Sequence, residues 1–150
     1  MTQEEKELLL RDLCARLPYG VKCKVWYNDK TLDIKSTGID FYTNTVNLDI
    51  PGDDNAKVYV DNIKPYLFPL SSMTEEQFVE LKVFADLTYE GNTLELIEWN
   101  DNCKTLEFWL EEIPSYELIK VFDWLNKNHF DYRGLIERGL AINATNLKIY

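Results

Sequence analysis

Apolar residues recur with helical spacing at the start of the chain. One face of a helix over residues 2–17 carries apolar residues at i, i+3, i+4 and i+7, which are Leu10, Leu13, Cys14 and Leu17. Thr2 is suited to cap this helix, because Glu5 follows three positions later and completes a capping box. Pro18 and Gly20 then end the predicted helix.

Strict alternation replaces the helical spacing over residues 21–60. Val21, Cys23 and Val25 alternate with two lysines, which is the pattern of a half-buried strand. Turn-forming residues interrupt the later apolar positions at residues 28–30, 36–38, 43–44 and 51–55. Short strands joined by such turns predict a small antiparallel β-meander or partial barrel.

Two prolines make residues 61–73 the least regular part of the pattern. Pro65 and Pro69 lack a backbone donor, so we expect no strand there and at most one helical turn. The segment is nevertheless too apolar for a free linker, and it is therefore predicted to lie across the core.

Two further helices follow in the pattern. Thr74 caps the first, with Gln77 in the capping-box position, and Gly91 ends it. Its predicted inner face consists of Phe78, Leu81, Phe84, Ala85 and Thr88. Ser115 opens the second helix. The predicted buried face of that helix consists of Leu118, Val121, Phe122 and Leu125.

Residues 93–112, between these helices, are compatible with a β-hairpin or with short helices. Leu94 alternates with Leu96, and Leu106 with Phe108, on either side of a polar segment that resembles a hairpin loop. This alternation favours the hairpin.

The end of the chain predicts two small elements. Asp131 can cap a short helix with Gly134 and Gly139 at its edges. Residues 147–150 are apolar enough to form a final strand.

These elements together predict an α+β fold. It comprises an N-terminal helix, a small antiparallel β-meander or partial barrel, and two main helices with a candidate β-hairpin between them. The length of 150 residues fits a single domain, residues 1–150, which can bury a core without disulfides.

The net charge of the chain limits the classes of partner that are expected. The 26 acidic residues exceed the 16 Lys and Arg residues and give a net charge of −10. No cluster of Lys and Arg is visible in the sequence, so direct nucleic-acid binding and docking on anionic lipid are not expected. A protein partner with a basic surface would suit this charge, although solubility alone also explains it. Nothing in the sequence indicates the oligomeric state.

Metal and cofactor chemistry have little support in the sequence. Cys14, Cys23 and Cys103 form no CxxC pair, and with one histidine they offer no set of four zinc ligands. We expect free, mostly buried thiols in a reducing compartment. The sequence contains no glycine-rich phosphate loop and no GxSxG elbow. Neither a cofactor nor a catalytic residue is therefore predicted.

The location follows from the absence of targeting features in the sequence. The apolar run at residues 8–10 is too short for a signal peptide. No stretch approaches the roughly 20 apolar residues of a membrane helix. We therefore predict a cytoplasmic protein without membrane association.

The strongest chemical candidate is the 129–133 cluster, with His129, Asp131, Tyr132 and Arg133. A base, a carboxylate, a phenol and a guanidinium in so short a stretch can bind an anion or move a proton. His129, however, lies four residues past Leu125 and continues the apolar face at the end of that helix. The helix dipole favours an imidazolium there, so a structural role is the preferred interpretation.

Acidic residues and aromatics supply a second candidate. Glu75, Glu76 and Glu80 lie on the predicted helix after Thr74, where the helix dipole alone already favours two of them. Trp and Tyr dominate binding hot spots, although they also fill cores.

The preferred hypothesis is a non-enzymatic protein-interaction module. The alternatives are a small enzyme or ligand-binding protein that uses the 129–133 cluster, and an acidic DNA mimic that inhibits a DNA-binding protein.

Three stretches resemble a known family. They are residues 17–25 (LPYGVKCKV), 63–77 (IKPYLFPLSSMTEEQ) and 122–141 (FDWLNKNHFDYRGLIERGLA). They resemble small proteins of Bacteroides-type gut bacteria, their prophages and other mobile elements. The resemblance spans most of the chain and implies no activity, cofactor or catalytic residue. It implies a bacterial or phage protein, so the interaction module is expected to be an accessory protein of a phage or mobile element.

Overall fold

A computed structural model describes residues 1–28, 30–85, 97–100, 105–108 and 115–150. The contacts divide the chain into two compact units. Unit 1 comprises residues 1–67 and 133–150, and unit 2 comprises residues 68–132. Helices and strands occur in both units, and the fold is α+β as the sequence predicts.

Unit 1 begins with helix α1, Gln3–Arg16. The predicted capping box is confirmed, since the Thr2 hydroxyl accepts from the Glu5 amide and the Glu5 carboxylate accepts from the Thr2 amide. A single 3-10 turn, Leu17–Tyr19, follows the helix. Gly20 then ends it with a left-handed φ of 72°, a conformation that suits glycine.

The buried face of α1 differs from the predicted apolar stripe. Its members are Leu9, Leu10, Asp12, Leu13 and Arg16, whereas Cys14 is exposed. Leu10 and Leu13 are buried as predicted, but the prediction missed Asp12 and Arg16 because it assigned only apolar residues to the buried face. Asp12 and Arg16 lie one turn apart and can be buried because their side chains neutralise each other.

Four antiparallel strands follow in meander order, which confirms the predicted meander. They are β1 (Lys22–Tyr27), β2 (Lys30–Asp40), β3 (Thr45–Leu48) and β4 (Lys57–Tyr59). The predicted turn at residues 36–38 is instead a β-bulge, because β2 runs through it with a register shift between Ser36 and Gly38. A Cβ on Gly38 would lie 2.9 Å from the Asn47 side chain, so glycine allows β2 and β3 to approach closely.

The predicted inner face of β1 is confirmed. Val21, Cys23 and Val25 are fully buried and pack in one cluster with the leucines of α1. The lysines between them point to the other, exposed face of β1. This alternation gives unit 1 one apolar face and one polar face.

The prediction of no strand in residues 61–73 was wrong. Strand β5 covers Ile63–Pro69 and pairs antiparallel with β1. Pro65 is tolerated because it lies opposite Cys23 at the end of that ladder, and Pro69 is the last residue of the strand. Neither proline therefore interrupts the interior of a ladder.

Residues 133–150 complete unit 1. Strand β9, Ile142–Asn143, pairs in parallel with Tyr66 and Leu67 of β5. Gly134 and Gly139, with φ of 71° and 69°, bound a tight turn in place of the predicted short helix. The predicted final strand at residues 147–150 is not formed, and the Tyr150 hydroxyl instead donates to the Tyr66 carbonyl at 2.9 Å.

Unit 2 contains the remaining helices and strands, and its last short strand was not predicted. They are α2 (Glu75–Phe84), β6 (Ile97–Asn100), β7 (Thr105–Phe108), α3 (Ser115–Lys127) and β8 (Phe130–Asp131). The capping box between Thr74 and Gln77 is confirmed, and so is the hairpin, because β6 and β7 pair antiparallel. The predicted extension of α2 to Thr88 and Gly91 lies outside the described residues. Asp131 pairs with Pro69 in a strand and so does not cap a helix.

The core of unit 2 combines stacked aromatic rings with aliphatic residues. Trp124 of α3 stacks on Phe130, with ring centroids 5.8 Å apart and an interplanar angle of 9°. Phe78, Leu81 and Ala85 of α2 belong to the same buried cluster. Phe84 was predicted in that face but is exposed, because six residues along a helix turn a side chain away from the face of Phe78.

Candidate functional site

His129 of the 129–133 cluster lies in the turn that ends α3, not on its apolar face. Its φ is 59°, a left-handed value that helices often adopt just past their last residue, usually with glycine. The His129 amide donates to the Asn126 carbonyl at 3.2 Å, and its own carbonyl accepts from the Phe68 amide at 2.9 Å. These bonds fix the backbone of His129, and its side chain is buried.

The other members of the cluster are held by different parts of the molecule. The Tyr132 hydroxyl donates to the Asn126 side chain at 3.2 Å, and its ring lies 5.0 Å from that of Phe122. Asp131 is buried in β8 of unit 2. Arg133 belongs to unit 1, where its Nε lies 3.4 Å from the Asp12 carboxylate. A binding or proton-transfer role for the cluster stays a prediction.

A buried ion pair lies inside unit 1 and was not predicted. Asp12 and Arg16 are fully buried and form a bidentate pair, with N–O distances of 2.8 and 3.0 Å. Burial also raises the pKa of the Cys23 thiol to about 12, and the Asp12 carboxylate adds to this effect. Cys23 is therefore a protonated core residue at neutral pH and not a nucleophile. The i, i+4 spacing of Asp12 and Arg16 was the available signal for the pair.

Glu75, Glu76 and Glu80 are exposed on α2 of unit 2, as a surface role requires. Glu76 and Glu80 share one face of the helix with two valines, at i, i+3, i+4 and i+7. This acidic stripe consists of Glu76, Val79, Glu80 and Val83. Val79 and Val83 are 54% and 63% exposed. The stripe lies opposite the buried face of α2, so it presents aliphatic and acidic groups to solvent.

The pKa of the Glu76 carboxyl is lowered. Its carboxylate accepts hydrogen bonds from its own backbone N–H and, second in effect, from Thr74, at the start of the helix. The acidic stripe therefore keeps this charge to a lower pH than an ordinary glutamate would.

Lysines gather on the exposed face of the sheet in unit 1, although the sequence shows no cluster. Lys22 lies opposite Lys35 of β2, and Lys24 lies opposite Lys64 of β5. Trp26 projects from the same side of β1 and is 56% exposed. We call Lys22, Lys24, Trp26, Lys35 and Lys64 the lysine face. Sequence reasoning missed it because its members come from three strands.

A groove opens on the lysine face with a volume of about 350 Å³. It is lined by Lys24, Val25, Trp26, Thr31, Asp61, Asn62, Ile63 and Lys64. Asp61 is neutralised by Lys6, whose Nζ lies 2.6 Å from the carboxylate. Asp33, opposite Lys24, accepts a hydrogen bond from the Tyr66 hydroxyl.

Lys24 and Lys64 form no ion pair with the residues that the structure describes. Two lysines therefore occupy directly opposed positions of β1 and β5 at the groove. Directly opposed like charges on a sheet are destabilising by up to about 1 kcal/mol.

Among the described residues, no group of three or more His, Cys, Asp and Glu side chains is placed to hold a metal ion. None of the helices in the described ranges is long and apolar enough to cross a membrane.

Comparison with known proteins finds no matching family model, no matching curated protein and no matching solved structure. The resemblance to proteins of gut bacteria and their mobile elements therefore stays a prediction. The candidate surfaces must be judged on their own chemistry.

Proposed function

We propose that the protein is a non-enzymatic interaction module, and that the acidic stripe of α2 binds a protein partner with a basic surface. The observation that supports this most is the exposure of Val79 and Val83 between two glutamates on one helix face. An apolar centre with a polar, solvent-accessible rim is the usual arrangement of a protein interface.

The residues of the acidic stripe are poor choices for an isolated helix. Glu76 and Glu80 repel each other at i, i+4, which is destabilising by about 0.2–0.5 kcal/mol. Exposed valine also lowers helix stability relative to alanine by roughly half a kcal/mol per residue. A binding role explains why these residues occur where folding alone would not select them.

The charge of the acidic stripe specifies the partner. Glu75 lies one turn before Val79, so three carboxylates flank the two valines. A partner would present Lys or Arg around an apolar contact, and association would weaken with salt. The alternation of acids with valines supports a protein interface over a DNA mimic, which would need a continuous row of charges.

The test is an affinity pull-down from host lysate with the tagged wild-type chain and the triple variant Glu75→Gln, Glu76→Gln, Glu80→Gln. We expect a basic protein that the wild type retains at low salt and that the triple variant loses, because three carboxylates are neutralised. Lysate is taken with and without prophage induction, since the family resemblance implies a mobile-element context.

A matched control neutralises exposed acids of unit 1, with Asp54→Asn and Glu137→Gln. It should retain the partner as the wild type does. Equal retention by the triple variant and the wild type would remove the acidic stripe from the proposal. Loss of the partner in the control as well would show an effect of net charge and not of this surface.

A further inference from the structure

The groove on the lysine face carries an inference separate from the proposed function. We propose that it binds a ligand of single-nucleotide size, with a phosphate held between Lys24 and Lys64 and a flat aromatic ring stacked on Trp26. Lys24 and Lys64 lie opposite each other on β1 and β5, and Trp26 follows Lys24 on the same face.

The two lysines favour a phosphate over a carboxylate. Both side chains start from strand positions that face each other, with Cβ atoms roughly 5 Å apart, so both ammonium groups can reach one anion. A phosphate carries more charge than a carboxylate and has more acceptor oxygens, and can therefore satisfy two ammonium donors at once. Asp61 is already paired with Lys6. Asp33 lies opposite Lys24 and accepts a hydrogen bond from Tyr66, a donor without charge, so this one carboxylate offsets one of the two lysines and a positive charge remains for the phosphate.

Trp26 favours a flat ring as the other half of the ligand. An indole that is 56% exposed offers a stacking surface, and stacking on an aromatic side chain contributes substantially to nucleotide binding. Thr31 and Asn62 line the same groove and supply a hydroxyl and an amide for the edge of such a ring.

The size of the groove and the net charge separate a single nucleotide from larger anions. The volume of about 350 Å³ lies at the lower end for ligand pockets. The net charge of −10 repels a long polyanion more than a small ligand. An acidic peptide cannot add to the sheet at this point, because residues 23–25 of β1 already pair with both β2 and β5.

The experiment is calorimetric titration of the full chain with adenosine monophosphate, adenosine, inorganic phosphate, a short oligothymidylate and a tetraglutamate peptide. We expect adenosine monophosphate to bind more tightly than adenosine or phosphate, because only the nucleotide uses both halves of the site. The Trp26→Ala variant should weaken this binding at least about fivefold. The double variant Lys24→Gln, Lys64→Gln should weaken it at least about tenfold, because two charged contacts are lost.

A matched control is Lys57→Gln, which removes an exposed lysine of β4 that does not line the groove. It should leave the affinity unchanged. All substituted side chains are exposed, and circular dichroism checks that each variant is folded. Absence of nucleotide binding at millimolar concentration would overturn the proposal. So would tighter binding of tetraglutamate or of the oligonucleotide than of the mononucleotide, or equal loss in the control.

Discussion

The two units expose opposite chemistry around a similar apolar centre. Unit 1 presents Trp26 among lysines on a sheet, and unit 2 presents Val79 and Val83 among glutamates on a helix. Both surfaces bring like charges together, which reduces the stability of the sheet and of the helix. Both surfaces therefore fit the proposal that binding, and not folding alone, selected their residues.

The interiors of the units differ as well. Unit 1 buries the ion pair of Asp12 and Arg16 next to an apolar cluster, whereas unit 2 buries the stacked rings of Trp124 and Phe130. Removing one partner of a buried ion pair leaves the other charge uncompensated in the interior, which is strongly destabilising. Removing a ring from an aromatic stack loses only part of its packing contacts. Substitutions in the two interiors should therefore differ in their cost.

The largest effect is expected from the ion pair. Asp12→Ala removes the two hydrogen bonds that this carboxylate accepts from the buried Arg16 guanidinium and should lower the free energy of unfolding by roughly 3–5 kcal/mol. Urea denaturation measures this change in the free energy of unfolding. The control is Asp61→Ala, which breaks the exposed pair with Lys6 and should cost at most about 1 kcal/mol. Equal costs for the two variants would contradict the assignment of the buried pair.

Alkaline pH should destabilise unit 1 through Cys23. The pKa of this thiol is raised from 9.0 to about 12 in the folded chain, mainly by burial, so between these values the unfolded chain loses a proton that the folded chain keeps. Stability is therefore complete below pH 9 and falls by up to about 1.4 kcal/mol per pH unit toward pH 12. Tyr66, whose pKa is raised to about 12 by burial and by Asp33, acts in the same direction.

The contribution of the thiol can be isolated with two variants. Urea denaturation between pH 8 and 11 should show a shallower loss of stability for Cys23→Val than for the wild type. Cys14→Ala serves as the control, because this thiol is exposed and its removal should leave the slope unchanged. A slope that depends on Cys14 and not on Cys23 would be inconsistent with a buried, protonated Cys23.

A smaller loss is expected from the aromatic stack of unit 2. Phe130→Leu keeps an apolar side chain but removes the ring that stacks on Trp124, so it should cost about 1–2 kcal/mol. Thermal or urea unfolding measures the change. A cost as large as that of Asp12→Ala would erase the distinction between the two interiors.

The smallest effects are expected at the surfaces, and they should have the opposite sign. The double variant Val79→Ala, Val83→Ala should raise stability by a few tenths of a kcal/mol to about 1 kcal/mol, because alanine is the better helix former. Lys64→Glu should raise it by a few tenths, because it places an acid opposite Lys24. Both variants should bind their ligands more weakly, and a loss of stability in either would remove the evidence for selection by binding.

The sequence predicted much of the fold because the relevant signals are local. Capping boxes at Thr2 and Thr74 and the alternation along β1 involve residues a few positions apart. β5 was missed because proline has no backbone N–H to donate and therefore argues against a strand. Only the pairing of β1 with β5 shows that Pro65 lies at the end of the ladder, where this donor is not needed. The glutamates of α2 could be named from the sequence, since a helix brings neighbours in sequence together.

The lysine face shows why a binding surface on a sheet is harder to predict. Lys24 and Lys64 are forty residues apart in the sequence and meet only through the register of β1 and β5. The net charge of −10 also gave no reason to expect a basic surface. Register is a tertiary property, so no local pattern could supply it.

The most direct test of the account measures both ligands on both surfaces. Retention of the basic partner and the affinity for adenosine monophosphate are determined for the glutamine variant of Glu75, Glu76 and Glu80, and for the double variant Lys24→Gln, Lys64→Gln. We expect the first variant to lose the partner and keep the nucleotide, and the second variant to lose the nucleotide and keep the partner. Loss of both ligands in either variant, or of neither ligand in both, would contradict two distinct binding surfaces.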